Sequence, residues 1–328
     1  MAYTTIDDPG LIFNTKLYTG TGSSNAVTGV NFLPAFTWIK SRTTYSDFIL
    51  TDVARGATKT ILSNSTAAQT TAAQDLKSFD SDGFTVGTNN NVNKSSDNML
   101  SWNWKEDAAA GFDVLTYEGS GSLQNISHNL SAVPSLIIVK NIDSSSPPFN
   151  WRVYHSALGA GAALKLNSTA AKDADAGYWG DTAPTSSVFT VKNSGETNNA
   201  GQTYIAYLWA AKQGYSKFGS WIGNGNADGA FVYTGFKPAF VLVKSADGIT
   251  EWFITDDKRP GYNANYRINP NIMDAEATAA SANYCDLLSN GFKVRYTDVA
   301  GEEQIYMAFA ENPFVTSTGN NSIPTTAR

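Results

Sequence analysis

A chain of 328 residues with a formal net charge of −6 is too long for one ordinary core and lacks the clustered Lys and Arg that a nucleic-acid partner requires. Its charged fraction of 16% lies below the roughly 25% usual in soluble domains. Ser, Thr, Asn and Gly fill the difference, a mix that suits strands and tight turns better than long surface helices.

The single cysteine, Cys285, excludes an internal disulfide framework and a cysteine-based zinc site. No stretch approaches the roughly 18 apolar residues of a membrane span, so membrane insertion is not expected. The start, Met1-Ala-Tyr-Thr-Thr-Ile-Asp-Asp-Pro9, has neither the basic residues nor the apolar run of a signal peptide, and a soluble protein made in a cytoplasm is expected.

In chain order, residues 1–16 read as an N-terminal arm, after which one pattern recurs three times. It opens on an aromatic turn signal, Tyr18-Thr-Gly-Thr-Gly22, echoed by Tyr117-Glu-Gly-Ser-Gly121 and Trp221-Ile-Gly-Asn-Gly225, which predicts a hairpin opening each unit. Next comes Pro34-Ala-Phe-Thr-Trp-Ile-Lys40, repeated as Pro134-Ser-Leu-Ile-Ile-Val-Lys140 and Pro238-Ala-Phe-Val-Leu-Val-Lys244, at intervals of 100 and 104 residues. This reads as a buried strand with Pro at its first position and Lys where it exits to solvent. A further strand follows at Phe48-Ile-Leu, Trp151-Arg-Val and Trp252-Phe-Ile. Then comes Asn64-Ser-Thr-Ala-Ala68, repeated as Asn167-Ser-Thr-Ala-Ala171 and degenerate at Asn271-Ile-Met-Asp-Ala275, read as an Asn-capped helical turn or a plain surface loop. Gly83-Phe-Thr-Val86, Val188-Phe-Thr-Val191 and Gly291-Phe-Lys-Val294 predict another strand. The last anchor alternates Leu100, Trp102 and Trp104, then Ile205, Tyr207 and Trp209, then Ile305, Met307 and Phe309, nine side chains expected in the core.

These signals predict an all-β chain of three tandem β-sandwich-like repeats, at residues 17–115, 116–219 and 220–315, with a C-terminal tail at 316–328. The expected arrangement is three units in a row, with a pseudo-threefold cluster as the alternative.

The phrases Phe79-Asp-Ser-Asp-Gly-Phe84, Gly214-Tyr-Ser-Lys-Phe-Gly219, Phe231-Val-Tyr-Thr-Gly-Phe-Lys-Pro-Ala-Phe240 and Ile305-Tyr-Met-Ala-Phe-Ala-Glu311, with the start Met1–Pro9, resemble a repeated β-domain family common in tailed phages of marine bacteria. The resemblance covers nearly the whole chain. It implies a virion structural protein, tail-fibre-like or surface-exposed, assembled in the host cytoplasm and without an established biochemical activity. Its expected partners are other virion proteins, tail or capsid, and a host-surface glycan or protein. A homo-oligomer is expected, although no heptad or collagen-like stretch enforces a trimer.

No catalytic set emerges, and no enzyme, cofactor or metal is expected. His128 and His155 lack partner patterns, and Cys285 reads as a small buried side chain. Asp80-Ser-Asp82-Gly83 resembles a calcium-loop fragment without the remaining ligands. The pairs Asp173 with Asp175 and Asp256 with Asp257 read as solvated loop charges rather than a glycosidase acid and base. Six Asn-X-Ser/Thr sites mark only polar loops. The segment from Asp256 to Tyr266 has no counterpart in the other units, and its Lys258, Arg259, Tyr262 and Tyr266 form the candidate contact loop, because Arg and Tyr are enriched in interface hot spots.

Overall fold

Each repeat folds as two antiparallel sheets, because its longest apolar runs need cover on both faces while its shorter runs need it on one. The computed structural model describes residues 4–143, 147–174, 177–259, 266–278 and 284–313. The first unit contributes β1 (Phe13–Thr19), β2 (Asn25–Thr28), β3 (Phe36–Ser41), β4 (Ile49–Asp52), β5 (Lys59–Leu62), β6 (Thr70–Thr71), β7 (Leu76–Asp80), β8 (Gly83–Val86) and β9 (Asn98–Trp104). The second contributes β10 (Phe112–Glu118), β11 (Gln124–Ser127), β12 (Leu136–Asn141), β13 (Arg152–His155), β14 (Leu164–Lys165), β15 (Val188–Val191) and β16 (Thr203–Trp209). The third contributes β17 (Ser216–Ile222), β18 (Phe231–Tyr233), β19 (Phe236–Ser245), β20 (Phe253–Asp256), β21 (Cys285–Leu288), β22 (Gly291–Val294) and β23 (Glu303–Pro313).

The long sheets run β1-β9-β3-β4-β5-β6, β10-β16-β12-β13-β14 and β17-β23-β19-β20, and the short ones β2-β8-β7, β11-β15 and β18-β22-β21. Strand order is thus shared by all three units, and the divisions expected at 17, 116 and 220 fall inside the first strands β1, β10 and β17. The opening turn does not make a hairpin. It carries the chain from the edge of the long sheet to the edge of the short one, since β1 pairs with β9 whereas β2 pairs with β8. Its glycines are required by close approach: a Cβ on Gly20, Gly119 or Gly223 would sit 2.0, 2.3 or 2.3 Å from the backbone oxygen of Lys94, Asn199 or Val299. Asn93, Asn198 and Asp298 hold the same turn through its backbone N–H groups.

The outward face of each long sheet packs on its own short sheet, giving three private cores around Phe84, Phe189 and Phe292. The inward faces meet each other. All nine alternating side chains from Leu100 to Phe309 join one central cluster with Phe13, Phe36, Trp38, Phe112, Trp151, Phe240 and Trp252. The units are therefore clustered around a shared aromatic core, not strung in a row. The long sheets, too wide to be covered by the short ones alone, bury their second face on one another.

Equivalent backbone hydrogen bonds close the ring. Gln69 N donates to Ile142 O, Lys172 N to Ala246 O and Glu276 N to Arg42 O, at 2.9, 2.7 and 3.0 Å. The donors lie five residues after Asn64, Asn167 and Asn271, so each Asn segment clasps the following unit and is neither helical nor a plain surface loop. The Asn side chains fix its base by accepting from Phe48 N, Trp151 N and Trp252 N, each at 3.0 Å.

The lysines do not exit to solvent. Lys40, Lys140 and Lys244 are buried, their ammonium groups held by backbone oxygens. Lys40 donates to Ser46 O and to Met273 O of the third unit, and Lys140 to Asn141 O and Thr66 O of the first. Lys244 donates to Ser245 O and Gly248 O. Burial lowers all three to about 8, against partial compensation from nearby carboxylates.

Candidate functional site

The contact loop predicted after Trp252 begins at the end of β20, where the third unit meets the first. Asp256 and Asp52 occupy equivalent positions, and each reaches across a seam. Asp256 Oδ2 accepts from Trp102 Nε1 at 3.1 Å, and Asp52 Oδ2 accepts from the Tyr207 hydroxyl at 2.6 Å. An arginine three residues on neutralises each: Arg55 Nε lies 2.6 Å from Asp52 Oδ2, and Arg259 Nε 2.8 Å from Asp256 Oδ2. The same arginines donate to Leu50 O and Ile254 O.

Arg259 is therefore no surface contact. It is buried, with Asp256 and Glu276 as ion partners. Asp256 is likewise fully buried, not a solvated loop charge, because a charge this deep is tolerated only when paired and hydrogen-bonded. Lys258 is exposed and pairs with Asp257 at 2.9 Å, Tyr266 is half-buried, and Tyr262 lies outside the described residues. Of the four predicted residues, Lys258 keeps an open position and Arg259 does not.

Beside Lys258 lies a cleft of about 50 Å³, lined by Phe13, Asn14 and Thr15 of the first unit and Ala239, Asp257 and Glu311 of the third. Two buried oxygens there, Thr15 Oγ1 and Asp257 Oδ1, have no partner in the protein. Burial pushes the Asp257 carboxyl up to about 6, with Lys258 opposing and Glu311 adding to the rise. Asp257 is replaced by Val53 and Ser156 in the other units, and Thr15 by Val114 and Phe218. The polar lining supplied by Thr15 and Asp257 is thus peculiar to this seam, and it suits a small hydrogen-bonding group.

Elsewhere the polar candidates hold the fold. His128 sits in a turn with Nε2 3.2 Å from Thr185 O, and burial lowers its pKa. Both Asp82 oxygens accept backbone N–H groups, from Gly29 and Asn31. Asp173 pairs with Arg152 and Lys165, and Asp175 lies outside the described residues. Burial pushes the Cys285 thiol up to about 12, which leaves it unreactive at neutral pH. All eight tryptophans are buried. The exposed aromatic side chains among the described residues are Tyr45, Phe231 and Tyr233.

The model of a family described as a domain of unknown function, DUF7483, matches residues 8–313. The chain belongs to the DUF7483 family. The match spans all three units, so a DUF7483 domain is the whole cluster and not a single repeat. No curated protein and no solved structure matches the chain.

Two sets of residues central to this domain escape the sequence reading, the three buried lysines and the seam pair of Asp52 with Tyr207. The second had a signal. Asp52-Val-Ala-Arg55 and Asp256-Asp-Lys-Arg259 share an Asp-x-x-Arg spacing at equivalent positions, and residues shared between copies belong to the fold.

Proposed function

We propose that the chain is a non-enzymatic structural protein of a bacteriophage virion, exposed on the particle as a tail-fibre or spike component that contacts the host surface or neighbouring virion proteins, further copies of itself among them. The observation that carries the non-enzymatic part is the use of the polar side chains. Asp52, Arg55, Asp256, Arg259 and the three lysines, which a sequence scan would offer for chemistry, are buried and joined to fixed partners. The virion context is supported by the resemblance of the phrases around Phe79, Gly214, Phe231 and Ile305. The burial of every tryptophan favours a protein partner over a tryptophan-stacked glycan.

The clustered units favour a compact knob over a fibre shaft. A compact body with internal pseudo-threefold order equally suits a capsid decoration or head-fibre protein bound to the major capsid protein, which is the second reading. Cryo-electron microscopy of virions labelled with antibody against this chain tests both. Label at the tail supports the first, label on capsid faces or vertices supports the second, and particles without label overturn the virion assignment. Release of oligosaccharides from host polysaccharide by the purified chain would overturn the non-enzymatic part.

A further inference from the structure

The three seams are built on one plan but not from the same side chains. At the position of Asp52 and Asp256 the second unit carries His155, and at the position of Arg55 and Arg259 it carries Leu158. Across the seam, the position of Trp102 and Tyr207 is held in the third unit by Met307, which has no N–H or O–H to offer. His155 therefore reaches the backbone: its Nε2 lies 3.1 Å from Tyr306 O, while its Nδ1 accepts from Ala157 N at 3.2 Å. Only the neutral ring with its proton on Nε2 satisfies both contacts. A second proton, on Nδ1, would face an N–H donor.

The surroundings offer the charged ring nothing. The cavity beside it, about 10 Å³, is lined by Leu136, Leu242, Trp252, Ile305, Tyr306 and Met307, none of them charged. Its lining is apolar, so a water there would lack the two to four polar partners that hold a buried water. The charged side chains on the adjoining strands lie away from this cavity on partners of their own. Lys140 of β12 and Lys244 of β19 are in their carbonyl cages. Asp256 of β20 is on Arg259, Glu303 of β23 near Lys172 and Glu311 near Lys237. Arg152, on the same strand as His155, is held by Asp173 and Glu196. The Tyr306 side chain belongs to the private core of the third unit.

We infer that His155 is an acid-sensitive latch on the seam between the second and third units, which opens on protonation of the ring while the two Asp–Arg seams stay closed. Burial lowers the His155 ring to about 4 against 6.5 for the free group. A folded value below the unfolded one means that the closed seam is favoured above pH 6.5 and loses that advantage as pH falls towards 4. The full shift corresponds to about a 300-fold rise in the opening equilibrium, of which about 120-fold falls between pH 7 and pH 4. Among the described residues, neither of the other seams contains a neutral base that must gain charge.

Hydrogen exchange with mass spectrometry on the full chain from pH 7 to pH 4, corrected for intrinsic exchange rates, reads each seam separately. The latch predicts that β13 and the 303–309 part of β23 lose protection at a higher pH than β4 and β9. His155→Gln, whose amide can donate to Tyr306 O without titrating, should abolish most of that fold-change, and His128→Gln should leave it intact. Equal loss of protection at all three seams, or an unchanged profile in His155→Gln, would overturn the latch. Should His155→Gln fail to fold, an NMR titration of the wild-type ring decides: titration near 6.5 with β13 still protected refutes it, and titration well below 6.5 in step with opening supports it.

Discussion

The two faces of the long sheets are made by the same strands and yet are built differently. Toward the centre, β9 and β16 present Leu100, Trp102 and Trp104, and Ile205, Tyr207 and Trp209. Toward the short sheets, β16 presents Tyr204, Ala206 and Leu208 and β9 presents Met99. The inward face must fill the space where three sheets converge, so it takes the largest rings. The outward face packs sheet on sheet at ordinary spacing, where side chains such as Val, Ala and Leu fill the gap. One face makes each unit a sandwich, and the other makes the three units one body.

The largest expected effect tests whether the centre is shared. The Trp104 ring lies 5.0 to 6.5 Å from the rings of Phe13 and Phe36 in its own unit, Phe112 and Trp209 in the second, and Phe240 and Phe309 in the third. Trp104→Ala should cost about 3–5 kcal/mol and shift one cooperative urea transition, because all three units lose contacts together. A separate transition for the first unit, with the other two unmoved, would break the comparison between shared centre and private cores.

Next comes the burial of the lysines. A folded value near 8 against 10.5 unfolded means that each charged ammonium is disfavoured by folding, so its contribution to stability improves as pH rises from 8 towards 10.5. Cys285, raised to about 12, acts in the opposite sense, and so do the buried tyrosines above pH 10. Comparing wild type with Lys140→Met removes those common contributions. Between pH 8 and 9.5 the wild-type unfolding free energy should gain up to about 1.4 kcal/mol per pH unit relative to the variant. Parallel pH profiles would show that the Lys140 ammonium is not paying for its burial.

How much of this was legible follows from where the partners lie in the chain. The alternation of Leu100, Trp102 and Trp104 with its two echoes is a local, period-two signal, and it marked the core correctly. The same signal could not say that those rings face other units, since a strand buried on both sides reads alike whether its second cover is a sheet of its own or of a neighbour. The lysines were misplaced for a related reason. Lys at the end of an apolar run is usually leaving the core, and the carbonyls that hold Lys40 and Lys140 come in part from Met273 and Thr66 in other units. Arg259 reads as a contact because Arg and Tyr are enriched in interface hot spots. Its match to Arg55, visible on aligning the copies, carried the better answer.

The smallest expected effect lies on the outermost surface, where the copies diverge without structural consequence. On β18 the third unit exposes Phe231 and Tyr233, whereas the equivalent strands carry Ala26 and Thr28, or Asn125 and Ser127. The residue between them is buried in every copy, as Val27, Ile126 and Val232, so the pleat and register are the same. The fold is thus indifferent to these two outward positions. The half-buried Lys217 places its Nζ 5.1 Å from the exposed Tyr233 ring and donates to the Tyr233 carbonyl at 2.7 Å, but the ring contact is worth about 0.5–1 kcal/mol at most and the carbonyl bond does not depend on the side chain. Tyr233→Ser should therefore leave the unfolding free energy within about 0.5 kcal/mol of wild type, since Ser127 already serves at this position in the second unit. A loss of more than about 1 kcal/mol would mean that the outer face of the third unit supports its sandwich in a way the other two do not need, and the division between an inward face that holds the molecule together and an outward face free to vary would fail at that strand.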